Sequence, residues 1–153
     1  MSNAAQLKIS PELADKIRKH GAETYPNECC GALLGRDTEV ADRRVYREIQ
    51  GLHPLVNRRD DSPKNRFAVT SADVLEAEKT AKERGLEVVG WYHSHPDHPA
   101  RPSQYDREHA WPWYSYVIVS VANKVPEDMT SWRLADDRSD FECEEIGLEK
   151  AAG

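Results

Sequence analysis

Most of the side chains in this sequence that could do chemistry together lie between Trp91 and Asp106: Trp-Tyr-His-Ser-His-Pro-Asp-His-Pro-Ala-Arg-Pro-Ser-Gln-Tyr-Asp. The preceding run, Leu86-Glu87-Val88-Val89-Gly90, reads as a buried strand. If that strand continues to His95, His93 and His95 share one face of it, and Ser94 points the other way. Two imidazoles side by side are the start of a metal chelate. A further ligand is needed, and Asp97, His98, Asp106 and His109 all stand close by in sequence. Ser103-x-x-Asp106, ahead of Arg107-Glu108-His109, also has the form of a helix cap, and taken alone a cap is its commoner meaning. The two uses are compatible, because a carboxylate in the first turn of a helix is held rigidly. Two His and one Asp leave the fourth tetrahedral position open for water, as in a catalytic rather than a structural zinc site.

His93-x-His95, seven intervening residues and Ser103-x-x-Asp106 resemble the JAMM signature of the MPN-type, or Mov34/PAD-1, metallopeptidases. That family also places a catalytic glutamate upstream, at the entry to an early strand. Pro26-Asn27-Glu28-Cys29-Cys30-Gly31 resembles that segment, with Glu28 at the matching position. The resemblance runs from Ser10 to Leu134 and is most like the stand-alone bacterial and archaeal members. It implies a single-domain layered α-β-α fold with a mixed, curved β-sheet of the cytidine-deaminase-like kind. The domain is expected over residues 8–146, with 1–7 and 147–153 as flexible termini.

The resemblance further implies a Zn²⁺ ion held by His93, His95 and Asp106, one per chain. Glu28 would be the general base and Ser103 the oxyanion donor, a role that competes with capping for the same hydroxyl. The implied reaction is hydrolysis of an amide after the Gly-Gly tail of a ubiquitin-like sulfur-carrier protein, with cysteine as one leaving group. The tail would enter extended, by strand addition. The alternative is a non-catalytic MPN-type binding module for ubiquitin-like proteins; such modules typically lack signature residues, and this chain keeps all of them. Two other metal readings are weaker. His93-x-His95-x-Asp97-His98 fits a metallo-β-lactamase string, but only His109 follows it and that fold needs a longer chain. A two-His, one-carboxylate iron oxygenase fits the ligand types, yet no feature of the sequence points to a 2-oxoacid site.

The elements that must position these residues belong to one domain, since 153 residues suffice for a single core. A net charge of -6 argues against nucleic acid or an anionic membrane as the main partner. No apolar stretch approaches the ~20 residues of a membrane span, and the polar start is unlike a signal peptide. Three cysteines, two of them adjacent, make no disulfide framework, so a cytoplasmic location is expected.

Ser10-Pro11-Glu12 opens a helix carrying Leu13, Ile17 and His20 on one face, with Gly21 expected to close it. Cys29 to Gly35 reads as a strand buried on both faces, and the Cys29-Cys30 pair as inert packing. A glutamate at such a strand start is ordinarily solvated, so Glu28 draws its interest from the resemblance. Val40 to Ile49 suggests a more exposed strand. The stretch 51–66 reads as a long loop whose Arg58, Arg59 and Arg66 could meet a carboxylate-bearing partner. Thr70-Ser71-Ala72-Asp73 starts a helix that runs to Gly85. After a short helix ended by Pro112, strands are expected at Tyr114 to Val121, Ser131 to Leu134 and, as an edge, Asp140 to Ile146.

Overall fold

A computed structural model describes residues 6–40, 43–56 and 70–148. Arg58, Arg59 and Arg66 lie outside the described residues. The chain runs β1 (Gln6–Ile9), α1 (Pro11–Thr24), β2 (Cys30–Val40), β3 (Arg43–Leu55), α2 (Ser71–Glu83), β4 (Glu87–Pro96), α3 (Gln104–His109), β5 (Ser115–Ala122), β6 (Val125–Leu134) and β7 (Phe141–Leu148). It forms one small domain of mixed α and β structure.

The sheet is mixed, as expected, but it closes on itself in the order β1-β3-β2-β4-β5-β6-β7. β1 makes the closure, running parallel to β3 on one side and to β7 on the other. Its four residues alternate, and Leu7 and Ile9 are buried in the core. Among the described residues, the sheet runs from Gln6 to Leu148. β7 is not an edge, because β6 and β1 flank it. Each described strand has a partner on both sides, though β1 covers only Tyr46 to Ile49 of β3.

β4 is central, antiparallel to β2 and parallel to β5. The alternation of strand side chains sends Leu33 into the cluster with Ala14 and Ile17 of α1, and Ala32 and Leu34 into the cluster with Ala77 and Ala81 of α2. Burying an aliphatic chain such as Leu33 stabilises the fold by about 1.5–3 kcal/mol. Ser10 caps α1 by accepting from Leu13 N at 3.2 Å. Gly21 does not end this helix, which continues to Thr24. Its reason is close approach: a Cβ there would stand 3.0 Å from Val121 Cγ2 and 3.3 Å from Ser94 Cβ. Among the described residues, the expected loop from residue 51 starts later, because β3 stays paired to β2 as far as Cys30 opposite Leu55.

Candidate metal centre

β4 carries His93 and His95 to the end of the sheet, both buried. Ser103 caps α3 in a complete capping box: its Oγ accepts from Asp106 N at 3.1 Å, and Asp106 Oδ2 accepts from Ser103 N at 2.9 Å. The box fixes the Asp106 carboxylate against the strand. His93 Nε2 and His95 Nε2 are 3.1 Å apart, and Asp106 Oδ2 is 3.2 Å from the first and 3.1 Å from the second. These three atoms form a nearly equilateral triangle. Ligands ~2.0–2.1 Å from a tetrahedral zinc are separated by about 3.3 Å, so the triangle is close to one face of such a polyhedron.

The donor chemistry points the same way. His95 Nδ1 lies 2.9 Å from the Pro99 carbonyl, which can only accept, so that nitrogen carries the proton. His95 Nε2, 3.1 Å from the Asp106 carboxylate oxygen, is then the nitrogen left to bind a metal. A cation bound there would meet an imidazole nitrogen and a carboxylate oxygen together. The loop bearing Pro99 is itself pinned: Ser120 Oγ donates to His98 O at 2.6 Å and Thr130 Oγ1 to Ala100 O at 2.7 Å. Such outer contacts fix a ligand's orientation and tautomer.

Glu28 comes from the residues just before β2. The register sets Cys30 opposite His93, and stepping back two residues on the same face brings Glu28 to the imidazoles. Its carboxylate and the two imidazole nitrogens lie within 4.8 Å of one another, all three residues buried. Burial, and then the charge of Asp106, pushes the Glu28 carboxyl from an ordinary 4.5 up to about 9. Asp106 goes the other way. Burial by itself would raise it, but the His93 charge and the hydrogen bonds of His93, His95 and Ser103 hold it well below the usual carboxylate range.

The other sequence candidates fall elsewhere. Asp97 is exposed, accepting from Tyr25 Oη at 2.5 Å and from Asn123 N at 3.0 Å. His98 is exposed, and its carbonyl takes the Ser120 bond. His109 is exposed on α3, stacked on Tyr105. His53 is paired along β3 opposite Ala32. Cys29 and Cys30 are free thiols in the core, each pushed up to about 12, chiefly by burial. Sequence reasoning gave no part to Pro99, whose carbonyl meets His95 Nδ1, or to Ser94, whose hydroxyl accepts from Cys29 N at 2.8 Å. A carbonyl carries no sequence signal, whereas Ser94 could have been read as a small polar residue at a buried strand position.

A family profile described as prokaryotic homologs of the JAB domain matches residues 10–135. The chain belongs to this family. It is thus a hydrolase of the JAMM/MPN+ type, a group that is zinc-dependent in general. It is 30% identical over 127 residues to the desampylase of Haloferax volcanii, covering 80% of this chain and 86% of that one. It is 32% identical over 115 residues to a probable TtuB-protein conjugate cleaving protease of Thermus thermophilus, covering 75% and 70%. A mouse Lys-63-specific deubiquitinase BRCC36-like protein is 41% identical over 98 residues, covering 60% of this chain and 33% of its own length. Among solved structures, a Salinibacter ruber protein superposes with a TM-score of 0.72 at 46% identity, covering 95% of this chain and 93% of that one. A Desulfitobacterium hafniense protein gives 0.80 at 31% identity, covering 95% and 94%.

Proposed function

We propose that the protein is a zinc-dependent isopeptidase or peptidase that cuts the amide after the C-terminal Gly-Gly tail of a ubiquitin-like protein. The observation that carries this is the triangle of His93, His95 and Asp106 with the Glu28 carboxylate beside it. The names of the relatives, a desampylase, a conjugate-cleaving protease and a deubiquitinase, support a ubiquitin-like modifier as the substrate. The finer reading keeps a sulfur-carrier protein as that modifier, cysteine as one released amine, and the layered cytidine-deaminase-like architecture. It also keeps the cytoplasm as location, since the cysteines are free and no described helix is long and apolar enough to cross a membrane.

In this reading His93, His95 and Asp106 hold one zinc, which when bound supplies Lewis acidity to a carbonyl and to water. Glu28 takes a proton from the attacking water and delivers it to the leaving amine. Burial raises the proton affinity of the carboxylate, so its ionised form is a stronger base than that of an exposed glutamate. Ser103 donates its hydroxyl proton to the developing oxyanion. Capping does not preclude that role: towards Asp106 N the hydroxyl is the acceptor, and its own proton stays available.

The test is incubation with a ubiquitin-like carrier from the same source bearing an amide-linked cysteine or peptide at its Gly-Gly end. Release of the amine, stopped by a chelator and restored by zinc, is expected. Tight carrier binding without release would turn the reading to the non-catalytic module. Metal analysis should find about one zinc per chain, lowered in His93→Ala and Asp106→Ala; full retention in both would remove the ligand assignment.

A further inference from the structure

We propose that Ser94, the residue between the two histidines, is a positioning residue for Glu28. It acts by replacing one rung of the β2–β4 ladder with a side-chain bond. The proposal rests on the assignment of Glu28 as the base.

The last paired residues of the two strands at this end are Cys30 and His93. The next rung would join Cys29 to Ser94, and it is made in a mixed way. Ser94 N donates to the Cys29 carbonyl at 3.2 Å, as a ladder requires. Cys29 N, however, donates to Ser94 Oγ at 2.8 Å, where a regular rung would use the Ser94 carbonyl. The regular ladder stops there, and the residue immediately beyond is Glu28. Through this rung, the strand that carries both imidazoles also holds the backbone that carries the base.

The surroundings leave no substitute for the hydroxyl. Ser94 is 0% exposed and Cys29 1%. α1 lies close over Ser94 at Gly21, with the tight approach described above. A longer polar side chain has no room there, and a buried N–H that loses its acceptor must shift to find another. Such a shift moves Glu28 relative to the triangle while leaving the triangle intact, because His95 is held by Pro99 and Asp106 by the capping box. A displacement of ~1 Å at a catalytic group costs on the order of 10²-fold in rate.

The experiment measures zinc content, kcat and KM for Ser94→Ala in the wild-type and Glu28→Gln backgrounds. The probe is a ubiquitin-like carrier with a fluorogenic amine linked to its Gly-Gly end. Ser94→Ala keeps Cβ and should keep zinc and KM, while kcat falls on the order of 10²-fold. In the Glu28→Gln background it should cost nothing further, because the group it positions is already gone. Ser94→Cys, which keeps the bulk and offers a weaker acceptor, should fall between wild type and Ser94→Ala, and it carries the test if the alanine variant does not fold. Full kcat in the variants, or the same loss in both backgrounds, overturns the proposal. If Glu28→Gln alone is fully active, the assignment of the base fails and this proposal with it. If Glu28→Gln is inactive and Ser94→Ala is not, only the positioning role is lost.

Discussion

β4 connects two buried polar clusters that differ in one respect. Beside Val89, the fully buried Arg47 finds an acceptor at each of its three guanidinium nitrogens. It meets Asp37 through Nε at 2.7 Å and Nη2 at 3.0 Å, and its Nη1 reaches Val89 O at 2.7 Å, Trp113 O at 2.8 Å and Ser115 Oγ at 3.1 Å. Near the other end of the strand, His93 Nε2, His95 Nε2 and Asp106 Oδ2 converge within 3.2 Å of one another, three atoms that can each ligate a cation. The first cluster is complete with the protein's own groups and ties β2, β3, β4 and β5 together. The second turns its ligand atoms towards one point, an arrangement that suits a cation. A buried cluster whose groups satisfy one another serves the fold; one whose ligand atoms converge can serve chemistry.

The largest expected effect comes from the second cluster. Glu28→Gln should keep its zinc and lose turnover by roughly 10²–10⁴-fold, read from single-turnover kinetics and metal analysis. The same variant carries a pH signature in zinc-free protein. Glu28 is pushed from 4.5 to about 9, so the stability that depends on its neutral form is fully present below about 4.5 and is lost as pH climbs through about 9. Denaturant midpoints across that window should fall in the wild type and flatten in Glu28→Gln. Parallel curves would separate Glu28 from the buried environment described for it.

Next comes the first cluster. Arg47→Met leaves the half-buried Asp37 without its cation and should cost roughly 3 kcal/mol in urea unfolding. Pairing it with Asp37→Leu should recover much of that loss, with zinc content unchanged in both. A variant that sheds zinc along with stability would mean that the two ends of β4 are not independent.

Ser103→Ala should have a smaller, divided effect. Loss of the cap costs about 1 kcal/mol of stability, and loss of the oxyanion donor lowers kcat on the order of 10²-fold. A stability change with unaltered kcat would leave the hydroxyl as a cap alone. The smallest effect is expected at the thiols. Cys29 and Cys30, buried and raised to about 12, should resist alkylation near neutral pH while exposed Cys143 reacts, and activity should not change. Inactivation that tracks modification of Cys29 would give that thiol a role beyond packing.

Sequence by itself determined the parts whose information is local. The His93 and His95 pair follows from strand alternation, and the Ser103 and Asp106 box from helix-end chemistry, so residue types at fixed spacing were enough. The long helices and the β2, β4 and β5 runs were legible for the same reason: each carries its own period. Only the tertiary structure decided the rest. β1 is too short to show a period, and its partners lie far away in sequence, so closure of the sheet could not be read from Gln6 to Ile9. Arg47 looks like any surface arginine until Asp37, Val89, Trp113 and Ser115 are brought around it. The nearness of Glu28 to the histidines depends on β2 pairing with β4 in one register, a long-range choice made by burying both faces of those strands.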